Sequence, residues 1–162
     1  MSISKRLGGL AVILTVTAAV LACQPPARAA DTDTAMIAKV EHRQEQMKKM
    51  GGAMKVLTRF LKNEGATIEE VAGGAAVVVD VSGRIVPELF PAGTGLGIGK
   101  SAAKPEIWNE WKDFSQKAEA VTQAASRLGD AARKGDAAAV RELIPALGKS
   151  CGACHETFRQ KS

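Results

Sequence analysis

Residues 137–160 read AAAVRELIPALGKSCGACHETFRQ, and this stretch decides how the rest of the chain is read. Asp136 before it is a good helix N-cap after the turn Lys134-Gly135. Small and apolar residues then recur at helical spacing, with Pro145 inside, where it should kink the helix or open its ladder. Near the end stands Cys151-Gly152-Ala153-Cys154-His155. C-x-x-C-H is the spacing of a haem c attachment site, in which the two thiols add to the haem vinyl groups and the adjacent His lies under the iron. On a helix, residues three and four apart share a face, so both Cys and His155 present together. The other readings of C-x-x-C fit less well. A redox dithiol sits at a helix start after a strand, and none precedes it here. A zinc site needs a second pair of ligands, and His42 alone does not supply one. A disulfide within the motif would be strained and would leave His155 unexplained.

Upstream of this helix the chain reads as three more. Ile37, Val40, Met47, Met50, Met54, Leu57 and Leu61 form one apolar stripe between Thr34 and Asn63, and Asn63-Glu64-Gly65 stops it. Thr67-Ile68-Glu69-Glu70 is a capping box that starts a second helix running to about Leu89. Pro91–Pro105 (PAGTGLGIGKSAAKP) is a Gly- and Pro-rich connection. Its Gly99-Lys100-Ser101 ending looks like a phosphate-binding loop, but Thr94 stands where that motif needs its first Gly, and no strand precedes it. Pro105 suits the first turn of a third helix, with Ile107, Trp108, Trp111, Phe114, Ala118, Val121, Ala125 and Leu128 on its apolar face. Four helices without strands or repeats predict an all-α antiparallel four-helix bundle.

Composition excludes several alternatives. The chain has 162 residues, 46% hydrophobic and 24% charged, enough for a single core. Aromatics are only 4%, with no Tyr, which argues against β-sandwiches and against base-stacking nucleic-acid modules. The formal charge is +5. With Lys5, Arg6 and Arg28 set aside, 22 basic residues become 19 against 17 acidic, a net +2, which leaves no electrostatic footprint for nucleic acid. Those three cations belong to an expected signal peptide over residues 1–29: a basic start, an apolar run from Leu7 to Ala22, and Ala27-Arg28-Ala29 as the cleavage site. Residues 30–162 are then one domain delivered to the periplasm. Val20-Leu21-Ala22-Cys23 is loosely like a lipoprotein box, so a lipid anchor at Cys23 is the alternative to its loss with the signal.

A C-terminal C-x-x-C-H on the last of four helices resembles the cytochrome c′ family, the class II c-type cytochromes. Arg43-Gln44-x-x-Met47 is similar to the family's first-helix pattern. Leu89-Phe90-Pro91-Ala92-Gly93-Thr94-Gly95, with Lys104-Pro105-Glu106-Ile107-Trp108, is similar to its loop and third-helix start, and His155-Glu156-Thr157-Phe158-Arg159 to its ending. The resemblance spans residues 32–162. It implies one haem c per chain held by two thioethers to Cys151 and Cys154, with His155 as proximal ligand. It implies that Arg43 meets a haem propionate, with Gln44 adding a hydrogen bond; the alternative for Arg43 is a solvated surface charge. Met47 falls at the distal position. There it is either a sixth ligand, as in some relatives, or a plug that NO or CO must displace. Met50 and Met54 read as core, and Gly51-Gly52 as a place where haem or a helix can approach closely. Trp108, Trp111 and Phe114 read mainly as core, with one of them able to touch the porphyrin. His42 reads as a surface histidine. The implied function is one-electron transfer with redox partner proteins, or alternatively gas capture or sensing. No general acid or base accompanies the iron, so no enzyme is expected. A homodimer joined by the first two helices is also implied, with the small-residue run Ala72 to Ala76 permitting close packing.

Overall fold

A computed structural model describes residues 27–161, with side chains from Asp31 onward. The expected signal peptide and Cys23 lie outside the described residues, except for positions 27–29. Four long helices carry the fold: α1 (Ala27–Leu61), α2 (Ile68–Gly83), α4 (Trp111–Arg133) and α5 (Ala137–Phe158). A short α3 (Glu106–Asn109) precedes α4. The described residues hold no strand, only one isolated bridge between Ala103 and Arg159.

Each helix boundary has a local cause. Asn63 and Gly65 take positive φ, 57° and 77°, and turn the chain after α1. Thr67 Oγ1 accepts from Glu70 N while Glu70 Oε2 accepts from Thr67 N, so the expected capping box starts α2. Asp136 caps α5 through Ala139 N. Short connections of this kind make sequential helices antiparallel neighbours.

Three details differ from the sequence reading. The second helix ends as α-helix at Gly83, not Leu89. Residues Ile85–Leu89 form a π-helical turn, in which Glu88 N and Leu89 N both donate to Arg84 O. Pro87 is the reason, since it lacks an N–H and its ring clashes with the carbonyl four residues back. The third helix is broken at Glu110, whose φ and ψ of −117° and 41° leave the helical region. That break lets Ile107 bury and Trp108 Nε1 donate to Phe90 O, 3.2 Å. Pro145 lies inside α5, as the sequence indicated, and the helix runs through it. Finally, α5 stops at Phe158, because Arg159 turns extended and pairs with Ala103.

Packing follows the apolar stripes. Leu57, Val71, Val78, Leu128, Val140 and Leu147 are fully buried. Gly74 gives α2 its approach to α1: a Cβ there would lie 3.3 Å from Leu57 Cδ2 and 3.6 Å from Ala53 O. Helix α2 packs on α1 and on α4, and α4 packs on α5. The first and last helices meet much less. The bundle therefore has one loose seam, between α1 and α5, and the expected site residues lie along it.

Candidate haem site

The α1 side of the seam is set by helical spacing. Arg43, Met47, Met50, Gly51 and Met54 stand at i, i+4, i+7, i+8 and i+11, and all line one cavity. From α5, Cys151, Cys154, His155 and Phe158 stand at i, i+3, i+4 and i+7 and line the same cavity. Its volume is about 660 Å³. Phe90, Ala102, Ala103 and Ile107 add walls from the connection and α3. No helix stands against Gly51 or Gly52: a Cβ at either would meet nothing within 4 Å.

The chemistry of the α5 wall is that of two free thiols and a neutral imidazole. Cys151 and Cys154 are unpaired and half-buried. Burial pushes the Cys151 thiol up, and it lifts the Cys154 thiol to about 11. Burial, followed by the charge of Arg159, holds the His155 imidazole below its ordinary value. Near neutral pH the thiols keep their protons and the ring keeps a free nitrogen lone pair.

Arg43 is not the solvated charge of the alternative reading. It is 4% exposed, and burial lowers it to about 10, still a cation at neutral pH. Nη1 donates to Thr94 Oγ1 (2.8 Å) and Leu89 O (3.3 Å); Nη2 donates to Thr94 O (2.8 Å) and Ser101 Oγ (2.9 Å). The guanidinium also lies 4.5 Å from the Phe90 ring centroid. Gln44 Nε2 donates to Lys100 O, 2.7 Å. Both residues line the cavity and both grip the connection that follows the π-helical turn.

The aromatic expectation is corrected in detail. Trp108, Trp111 and Phe114 do not line the cavity, whereas Phe90 and Phe158 do. Phe114 stands behind them, with ring centroids 4.9 Å from Phe90 and 5.3 Å from Phe158. Trp111 is 37% exposed. Met50 is core, as expected, yet it also lines the cavity with Met54. His42 is exposed and 3.3 Å from Glu88. Sequence reasoning missed Lys48 and Lys100, which line the cavity, and Thr94 and Ser101, which hold Arg43. Helical spacing from Gln44 could have flagged Lys48. Nothing local could have flagged Thr94 and Ser101.

The lining suits a flat apolar macrocycle with an acidic edge, attached through sulfur. It offers two thiols, one imidazole, a mostly hydrocarbon surface, four cations (Arg43, Lys48, Lys100 and Arg159) and no carboxylate.

Comparison with known proteins agrees. A family model described as cytochrome C′ matches residues 38–159. The chain is 38% identical over 124 residues to cytochrome c-556 of Agrobacterium tumefaciens (strain B2A), covering 76% of this chain and 98% of the relative. Among solved structures, a cytochrome c′ described as having an unusual ligand-controlled dimer dissociation superposes with a TM-score of 0.71. The two are 27% identical, over 78% of this chain and 97% of the other. A nitric oxide complex of a variant of cytochrome c prime from Alcaligenes xylosoxidans matches with a TM-score of 0.68. It is 28% identical, over 77% and 95% of the two chains.

Proposed function

The chain belongs to the cytochrome c′ family of haem c proteins, and from that premise we propose that it is a one-electron carrier whose haem iron His155 and Met47 would hold. Bound haem supplies an iron that cycles between ferric and ferrous states. Cys151 and Cys154, both in the cavity lining, would hold the group by thioethers. His155 offers a neutral ring nitrogen from α5. Met47, half-buried on α1, offers a thioether from another wall of the same cavity, and this observation carries the reading. Thioether ligation raises the potential and suits a carrier.

A second reading, NO or CO binding with Met47 as a plug, has its own support. Open space surrounds Gly51 on the cavity wall, and the structural neighbour from Alcaligenes xylosoxidans is a nitric oxide complex. We further propose export to the periplasm with loss of residues 1–29, and a homodimer joined through α1 and α2. No helix among the described residues is long and apolar enough to cross a membrane.

The deciding experiment is the optical and EPR spectrum of the holoprotein, ferric and ferrous, with and without CO. The carrier reading expects low-spin ferric iron, a Met–iron charge-transfer band and little reaction with CO. High-spin ferric iron that binds CO readily when reduced would replace it with the gas-binding reading.

A further inference from the structure

One half of α1 is charged unlike the rest of the chain. From Gln46 to Asn63 it holds Lys48, Lys49, Lys55, Arg59 and Lys62 and no acidic residue. The other 14 of the 19 basic residues in 30–162 stand against all 17 acidic ones, a net −3. The near-neutral domain is therefore a charge dipole, with its positive end gathered on one stretch of helix.

Helical spacing lays these cations out. Lys48, Lys55 and Lys62 stand at i, i+7 and i+14, with Arg59 four residues after Lys55, so all four share one exposed face. The opposite face carries Ala53 and Leu57, which meet Gly74 of α2. The cationic face thus points away from α2, and Lys48 and the exposed Gly51 bring its first turn to the mouth of the cavity. Across the seam, Arg141 of α5 adds a cation at its far end, where Nη1 donates to Leu61 O (3.1 Å) and Nη2 to Asn63 Oδ1 (2.6 Å).

Local causes do not account for this face. Cations in the last turn of a helix answer its dipole and open carbonyls, which covers Arg59 and Lys62. That influence fades within one turn, so Lys48 and Lys55 lie beyond it. Among the described residues no ion pair engages Lys48, Lys55 or Lys62. Like charges left unpaired on one face repel each other, and an anionic partner relieves that cost. The exposed large apolar residues are Ile37, Val77, Leu96 and Trp111, none of them in this stretch. It therefore lacks the apolar anchors of a lipid-facing helix and of a permanent interface, and suits a transient contact steered by charge.

We propose that the α1 face formed by Lys48, Lys55, Arg59 and Lys62 docks an acidic face of the redox partner protein and holds it beside the mouth of the cavity. The inference rests on the carrier reading. The optical and EPR spectra test that reading alone, whereas charge at the mouth is read from rates at either spin state.

In the test, ferrous holoprotein is oxidised by ferricyanide, an anion, or by tris(phenanthroline)cobalt(III), a cation, and the rates are followed by stopped flow. One electron passes to either reagent, and no bond to the protein forms. At about 10 mM ionic strength the screening length is about 30 Å, so charges around the mouth are felt. Lys55→Glu should slow ferricyanide roughly three- to tenfold and speed the cobalt complex, and both effects should vanish in about 1 M salt. Arg127→Glu makes the same change in net charge at an exposed position on α4, which does not border the seam, and should do far less. Lys62→Glu repeats the measurement should Lys55→Glu fail to fold. Poly-L-glutamate stands in for an acidic protein surface. It should bind ferric holoprotein in low salt and bind Lys55→Glu several-fold more weakly, while vesicles of phosphatidylglycerol and phosphatidylcholine should not pellet the protein. Equal effects of the two charge reversals, or vesicle binding that matches polyglutamate binding, overturn the proposal.

Discussion

Met47 and Arg43 lie one helical turn apart and reach the same cavity, but their surroundings separate their roles. Met47 is half-buried, with its sulfur as its one heteroatom; Arg43 is buried, and both of its terminal nitrogens are hydrogen-bonded. On the carrier reading, Met47→Ala converts low-spin ferric iron to high-spin and opens the ferrous protein to CO. An EPR spectrum that keeps its low-spin signals sinks the ligand role. Truncating a half-buried side chain should cost stability less than the 2–5 kcal/mol of a fully buried Met, about 1–2 kcal/mol. The fold should therefore survive and the spectrum be readable. Arg43 shows where residue-scale reading stops. Its place on the first helix was legible from spacing, but its partners lie 46 to 58 positions away, in a loop that the sequence marks only as a Gly- and Pro-rich connection.

At the scale of elements, neighbouring glycines in α2 have opposite meanings. A Cβ at Gly73 meets nothing within 4 Å; one at Gly74 presses on Leu57 and Ala53 of α1. Gly73→Ala should raise stability by roughly 0.5–1 kcal/mol, the helix-propensity difference alone. Gly74→Val should lower it by about 1–3 kcal/mol, because a branched side chain must displace the buried Leu57. Urea unfolding of the two variants compares them directly, and equal shifts of the same sign would contradict this packing. Helix starts at Thr67 and Asp136 were legible because their caps are local. The ends at Gly83 and Phe158 were not. Pro87 sits in a stretch whose apolar content still looked helical, and Arg159 leaves the helix to meet Ala103, a partner far along the chain.

For the whole molecule, the loose seam between α1 and α5 is the organising feature. Three tight interfaces hold the bundle while the fourth is left for the haem. The proposed dimer uses the other side of the bundle. Gly73, Ala76 and Val77 are exposed on α2, and Val77 is 39% exposed although apolar. A charge there should be costly to a dimer and harmless to a monomer. Sedimentation of the holoprotein is expected to give the dimer mass, and Val77→Lys to give the monomer mass with an unchanged haem spectrum. A dimer that persists in Val77→Lys would move the interface away from this face.

The amino-acid sequence by itself determined the four-helix class, the capped helix starts, the covalent attachment motif and the family. All of these are local: helical period, caps and a five-residue motif are set by residues within one or two turns of each other. Only the tertiary structure decided that Phe90 and Phe158, not the tryptophans, wall the cavity, that Lys48, Lys100 and Arg159 surround it without carboxylates, and that Arg43 holds a distant loop. Burial and hydrogen-bond satisfaction are properties of the packed chain. A guanidinium finds its acceptors only once the helix carrying it and the loop it grips share one wall.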